Sequence, residues 1–146
     1  MKYRLINESG EKTFALVFDR GDEVIEALRK FATEQRLLAT RFTGIGALSD
    51  VVLGFFDRSK KDYNKIAVQE QVELLSLTGD IVIQDDLPVI HAHVVVGKSD
   101  GTAHGGHLLQ GHVFPTLELM LIESPRYLRR RIDTDSGLAL IDLEAA

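Results

Sequence analysis

The chain has 146 residues, 45% hydrophobic and 27% charged, enough for one domain with one core that needs no covalent staples. It has no cysteine, which excludes disulfides and thiolate metal sites, and its formal net charge of −5 opposes a role that depends mainly on phosphate contacts. No apolar run reaches the roughly 20 residues that cross a bilayer and the opening segment MKYRLINESGEK lacks a signal-peptide stretch, so a cytoplasmic location without a membrane partner is expected.

No repeat or linker divides the sequence, which reads as a single domain over 1–146. Residues 2–7 and 12–18 read as two strands joined by the polar turn Glu8-Ser9-Gly10-Glu11. A helix follows at about 22–36, with Asp22 as its cap and Val24, Ile25, Leu28, Phe31 and Ala32 forming an apolar stripe at helical spacing. Gly44 and Gly46 inside the strand-like run 41–48 predict a bulge or a close backbone approach. Residues 51–56 form the next strand, and Ser59-Lys60-Lys61-Asp62 a turn. Strands are then expected at 63–68, at 71–84 with an interruption at Gly79-Asp80, at 88–97, 102–109, 112–123 and 138–143. One helix among so many strands predicts an α+β fold, a mixed and largely antiparallel curled sheet of about 7–9 strands with that helix on one face. Such a sheet has edges that need cover, and association of copies is one way to supply it.

The one concentrated basic run is Arg126, Arg129, Arg130 and Arg131. Its plain reading is a solvated or intersubunit cluster, and its functional reading a phosphate or anion site.

All five histidines fall between positions 91 and 112: His91, His93, His104, His107 and His112. His91 and His93 sit in an apolar strand pattern, so their rings project from one face. Two neutral imidazoles so placed can share an ion, and the third ligand depends on the hairpin that follows. A three-residue Ser99-Asp100-Gly101 loop sets Val96 opposite His104 and His93 opposite His107, whereas a two-residue Asp100-Gly101 turn brings His104 to the pair instead. Spacing allows both, and Gly105-Gly106 favours the first because glycines permit close approach. His112 reads as a surface or subunit-contact residue.

Several segments, in order and spacing, make the chain resemble the plants-and-prokaryotes-conserved (PPC) domain family. They are Thr43-Gly44-Ile45-Gly46-Ala47-Leu48, Leu53-Gly54-Phe55-Phe56-Asp57, Glu73-Leu74-Leu75-Ser76-Leu77-Thr78-Gly79 and Pro88-Val89-Ile90-His91-Ala92-His93. Gly105-Gly106-His107-Leu108, Gly111, Thr116-x-Glu118 and the closing Arg130-Arg131-Ile132-Asp133 and Ser136-Gly137-Leu138 complete the resemblance. It implies a homotrimer and one divalent metal ion per chain, zinc first, on His91, His93 and His107. The family is also labelled DNA-binding. Its plant members, however, carry a separate Arg-Gly-Arg hook that is absent from this sequence, and an arginine that is missing from Glu70-Gln71-Val72-Glu73-Leu74-Leu75.

Three roles follow as expectations. A trimeric metalloprotein of enzyme type would use the ion's open position on a small anionic ligand, with Glu118 as base or ligand partner and Arg41 and Arg130 holding the anion. A DNA-associated regulatory module would keep a structural ion and turn Arg126, Arg130 and Arg131 to phosphate. A scaffold would bring histidines of several subunits together at the assembly axis.

Overall fold

The computed structural model describes residues 1–7, 10–124 and 128–144. Among these residues nine strands and one helix follow in the order β1 (Lys2–Asn7), β2 (Lys12–Phe18), α1 (Val24–Gln35), β3 (Ala39–Asp57), β4 (Asp62–Val68), β5 (Val72–Gln84), β6 (Leu87–Gly97), β7 (Ala103–Glu123), β8 (Arg129–Ile132) and β9 (Ala139–Asp142). The fold is therefore the α+β sheet with one helix that the pattern predicts. The expected turn at Glu8-Ser9 and the candidate anion residue Arg126 lie outside the described residues.

Two long strands organise everything else. β3 pairs with β7 along one edge and with β5, then β4, along the other. β6 bridges β5 to the start of β7, so β3, β5, β6 and β7 close into a circuit. β1 and β2 extend the sheet from the far end of β7, and the β8–β9 hairpin lies parallel to the end of β5.

Inside the circuit, alternation does the sorting. Ala92, Val94 and Val96 of β6 and Leu117, Leu119 and Leu121 of β7 point inward and are buried. The helix lays Val24, Leu28, Phe31 and Ala32 into the same core, the stripe that the spacing predicts. Phe31 meets Phe14 and Tyr3 edge-on at 5.3 and 4.9 Å, which fixes the helix against the first hairpin.

Several boundaries differ from expectation, for local reasons. The runs at 41–48 and 51–56 are one strand, and so are 102–109 and 112–123. Register shifts between Gly44 and Gly46 against β5, and between Gly46 and Leu48, Leu48 and Asp50, and Val52 and Leu53 against β7, bend these strands without ending them. At Gly46 an added Cβ would stand 2.7 Å from Leu117 Cα, so the glycine is required by strand approach. Strand β5 is not interrupted at Gly79-Asp80; its irregularity falls between Leu74 and Ser76. The helix is capped by Glu23, whose side chain accepts from Glu26 N at 2.7 Å, and not by Asp22. Asp22 instead accepts from Asp19 N and pairs with the N-terminal amine. Strand β8 was not expected, because an arginine-rich run carries no alternating apolar signal. Among the described residues no helix is long and apolar enough to cross a membrane.

Candidate metal centre

Two hairpins bring the histidines together. Between β5 and β6 the loop is Asp85-Asp86, both left-handed at φ 49° and 61°, with Gln84 opposite Leu87. That is the geometry of a two-residue hairpin turn, which aspartate tolerates. It fixes Asp80 opposite His91 and Thr78 opposite His93. Between β6 and β7, Gly101 takes φ 82°, its N–H donates to Lys98 O at 3.0 Å, and Lys98 N–H donates to Thr102 O at 2.9 Å. Asp100 locks this loop by accepting from Thr102 N and Oγ1 at 2.9 and 2.6 Å. The result is the three-residue loop, with Val96 opposite His104 and His93 opposite His107. The two-residue alternative is not adopted. His104 is exposed and one step out of phase with the cluster.

His91, His93 and His107 share the outer face of the sheet, and one nitrogen of each lies within 4.8 Å of the others. The Nε2 atoms of His91 and His93 are 3.3 Å apart. Two imidazole nitrogens bound tetrahedrally to one zinc ion at about 2.0–2.1 Å stand about 3.3–3.4 Å apart, so this pair already has the spacing of a shared ion. His107 stacks between His91 and Tyr63, with ring centroids 5.2 and 4.7 Å away. Its Nδ1 is buried with no hydrogen-bond partner among the described residues, a cost that only a ligand at that same nitrogen would relieve.

The electrostatics keep these rings available. Burial, then the neighbouring His91 and His93, push the His107 pKa down to about 4. Burial and His91 lower that of His93 as well. Near neutral pH both are uncharged imidazoles with a free lone pair, the form that ligates metal. Three imidazole nitrogens and no thiolate suit zinc, copper, nickel or iron, and leave room for a further ligand.

Two glycines shape this neighbourhood. A Cβ on Gly54 would meet the Tyr63 ring at 2.7 Å, so Gly54 gives that ring its seat over His107. A Cβ on Gly79 would collide with His91 O and stand 3.0 Å from Ala92 Cα. Gly79 therefore lets β5 and β6 close up beneath His91, which is why the glycine read as a break continues the strand. Gly79→Ala is expected to cost about 1–3 kcal/mol by overpacking, measured by urea unfolding.

The remaining candidates are placed differently. Arg41 is exposed in the row Arg41–Asp80–His91, one strand beyond Asp80 and on the histidine face. Glu118 shares β7 with His107, but the strand bends around the circuit, and Glu118 lies two residues from Met120, which is reached from His93 across Thr78 and Thr43. Three strand spacings put it roughly 15 Å from the imidazoles, so within one chain it does not reach them as a base or ligand partner. It stands between Val17 and Ile45 in an apolar region of the outer face. Arg130 is only 5% exposed and bonds Asp80, Arg131 pairs with Asp142 at 3.1 Å, and Arg129 pairs with Asp86 at 3.2 Å. These three arginines of the run thus meet carboxylates of the same chain. His112 bonds Asp50 at 2.8 Å, which raises its pKa, and sits away from the cluster beside Glu23.

Sequence reasoning missed Asp80 and Tyr63 as neighbours of the histidines, and it gave Arg130 the role of holding an anion where the structure pairs it with Asp80. The available signal was Asp85-Asp86: reading it as a two-residue turn gives the Asp80–His91 pairing at once.

A β-rich α+β domain with three outward imidazoles on adjacent strands defines the class. The chain belongs to the Plants and Prokaryotes Conserved domain family, whose model matches residues 6–125. Among solved structures it is similar to a plant- and prokaryote-conserved protein from Pyrococcus horikoshii, 31% identical with a TM-score of 0.85, covering 97% of this chain and 94% of that one. A candidate DNA-binding protein from Bacteroides thetaiotaomicron is 29% identical, with a TM-score of 0.87 and coverage of 97% and 98%. A metal-containing protein from Archaeoglobus fulgidus is 31% identical, with a TM-score of 0.83 and coverage of 97% and 96%. Among curated proteins the chain is similar to the bifunctional protein GlmU of Synechococcus, 29% identical over 127 residues. That match takes in 85% of this chain and only 19% of GlmU, so the chain spans about a fifth of its relative's length.

Proposed function

We propose that this chain is a homotrimeric metal-binding protein that holds one divalent ion, zinc in preference, on His91, His93 and His107. The observation that carries this is the meeting of three imidazoles, two with their Nε2 atoms 3.3 Å apart. Similarity to a protein described as metal-containing supports it. When bound, the ion supplies a Lewis acid with an open position, suited to a water or to an oxygen of a small anionic ligand. Arg41, exposed on the same face, is the chain's cation for such an anion. Titration with zinc against a chromophoric chelator tests the reading: one ion per chain is expected, and no uptake would contradict it.

The trimer is supported by an uncovered apolar surface. Val17, Ile45, Leu75 and Met120 are 42%, 64%, 53% and 44% exposed on the outer faces of β2, β3, β5 and β7. Patches of this kind mark association surfaces. Light scattering at micromolar concentration is expected to give three times the 16.2 kDa chain mass, and Ile45→Asp to shift it toward monomer. A wild-type monomer would contradict the trimer.

The second reading, a DNA-associated module, draws on the similarity to a candidate DNA-binding protein. The net charge of −5 and the carboxylate-paired arginines weigh against it. No electrophoretic shift is expected near physiological salt, and tight binding with a steep salt slope would reverse that order.

A further inference from the structure

We propose that Asp80 and Arg130 are positioning residues for His91, through which docking of the β8–β9 hairpin and ion binding are linked. The proposal rests on the metal reading above. If His91 gives its Nε2 lone pair to the ion, its Nδ1 must carry the proton and needs an acceptor. Two polar groups stand near Nδ1: Arg130 Nη2 at 3.5 Å and Asp80 Oδ2 at 3.8 Å. A guanidinium has only donors, so Asp80 is the group able to receive the proton.

Arg130 sets how Asp80 presents itself. Its Nη2 donates to Asp80 Oδ1, which leaves Oδ2 toward His91. Its Nη1 donates to Ala139 O at 2.7 Å, so one buried guanidinium joins both strands of the hairpin to β5. Burial alone would raise the Asp80 pKa, but His91 and Arg130 together hold it below the usual carboxylate value.

The hairpin's other ties among the described residues include Ile83 N–H donating to Leu128 O at 3.3 Å, a single strand pair between β5 and β8, Arg129 with Asp86 at 3.2 Å, and Lys61 Nζ donating to Thr134 O at 3.3 Å near the hairpin tip. The hairpin therefore runs from the end of β5 to the β3–β4 turn, past the histidines. Whatever fixes the Arg130–Asp80–His91 chain steadies both the docking of β8 on β5 and the ligand ring, and by linkage each favours the other.

The test compares wild type with Asp80→Asn, Arg130→Gln and His93→Ala, using zinc ions in chelator competition and backbone hydrogen exchange of residues 129–142. Asp80→Asn is expected to bind zinc about 10–100-fold more weakly, the usual loss for a histidine's outer partner. Zinc is expected to slow exchange in the wild-type hairpin and to lose that effect in both Asp80→Asn and Arg130→Gln. A merely structural role would leave the zinc-dependent part of the exchange unchanged. Wild-type affinity and wild-type hairpin protection in Asp80→Asn, with binding lost in His93→Ala, would overturn the link and spare the metal site. No zinc uptake by wild type would overturn both. If Asp80→Asn does not fold, Arg130→Lys, which keeps the charge without the two-armed geometry, is judged by the same two readouts.

Discussion

Zinc at about 100 times its dissociation constant raises the melting temperature by roughly 10 °C, and the increment disappears in His107→Ala. An ion that binds only the folded chain adds about 2.7 kcal/mol at that excess. For a domain of this size each kcal/mol moves the midpoint by roughly 3–5 °C. The sites cannot preform in the unfolded chain, because His91 and His93 meet His107 only through the β6–β7 register. Calorimetry with and without zinc, before and after chelation, measures the increment. A midpoint that ignores zinc in wild type would contradict the site, and an increment retained in His107→Ala would place the ion elsewhere. Loss of a direct ligand is expected to exceed the about 100-fold affinity change typical of losing an outer partner.

In chelator, the chain loses stability as pH falls from about 6.5 toward 4, and His107 is the main cause. Below pH 6.5 the unfolded histidine takes up a proton that the folded ring refuses until about pH 4, since burial and the neighbouring histidines hold its pKa there. The unfolded state binds more protons throughout that window, so acid favours it, by at most about 3 kcal/mol at its lower end. His93, also lowered, acts in the same direction. His112 acts in the opposite direction: Asp50 raises its pKa, so its contribution is present below 6.5 and lost as pH rises through the folded value. Urea unfolding of wild type and His107→Gln at pH 7.5 and 4.5 separates these effects. The variant is expected to lose less stability on acidification, and an equal loss in both proteins would remove His107 from the explanation.

Local chemistry made part of this legible in advance. The helix stripe, the outward His-x-His pair and the glycine-closed loop at Gly101 follow from periodicity and turn geometry, and the structure places all three as read. Spacing left His107 and His104 open, and the preference for His107 came from Gly105-Gly106 and from the family resemblance; the three-residue loop gives that register. What stayed hidden depends on contacts between distant segments. Nothing near Arg130 in the sequence indicates that its guanidinium meets Asp80, fifty positions earlier. The fusion of 41–48 with 51–56 was obscured because bulges look like strand ends in a sequence, although in the sheet they bend one strand around the circuit. Glu118 looked close to the cluster in number, but β7 carries it around the circuit to a place three strand spacings from His93.

Metal content of the purified protein, by elemental analysis, tests the central claim most directly. One divalent ion per chain is predicted for wild type after exposure to zinc, falling to none in the His93→Ala/His107→Ala double variant with its fold intact. One ion per chain in that double variant, or none in wild type, would contradict the three-histidine centre.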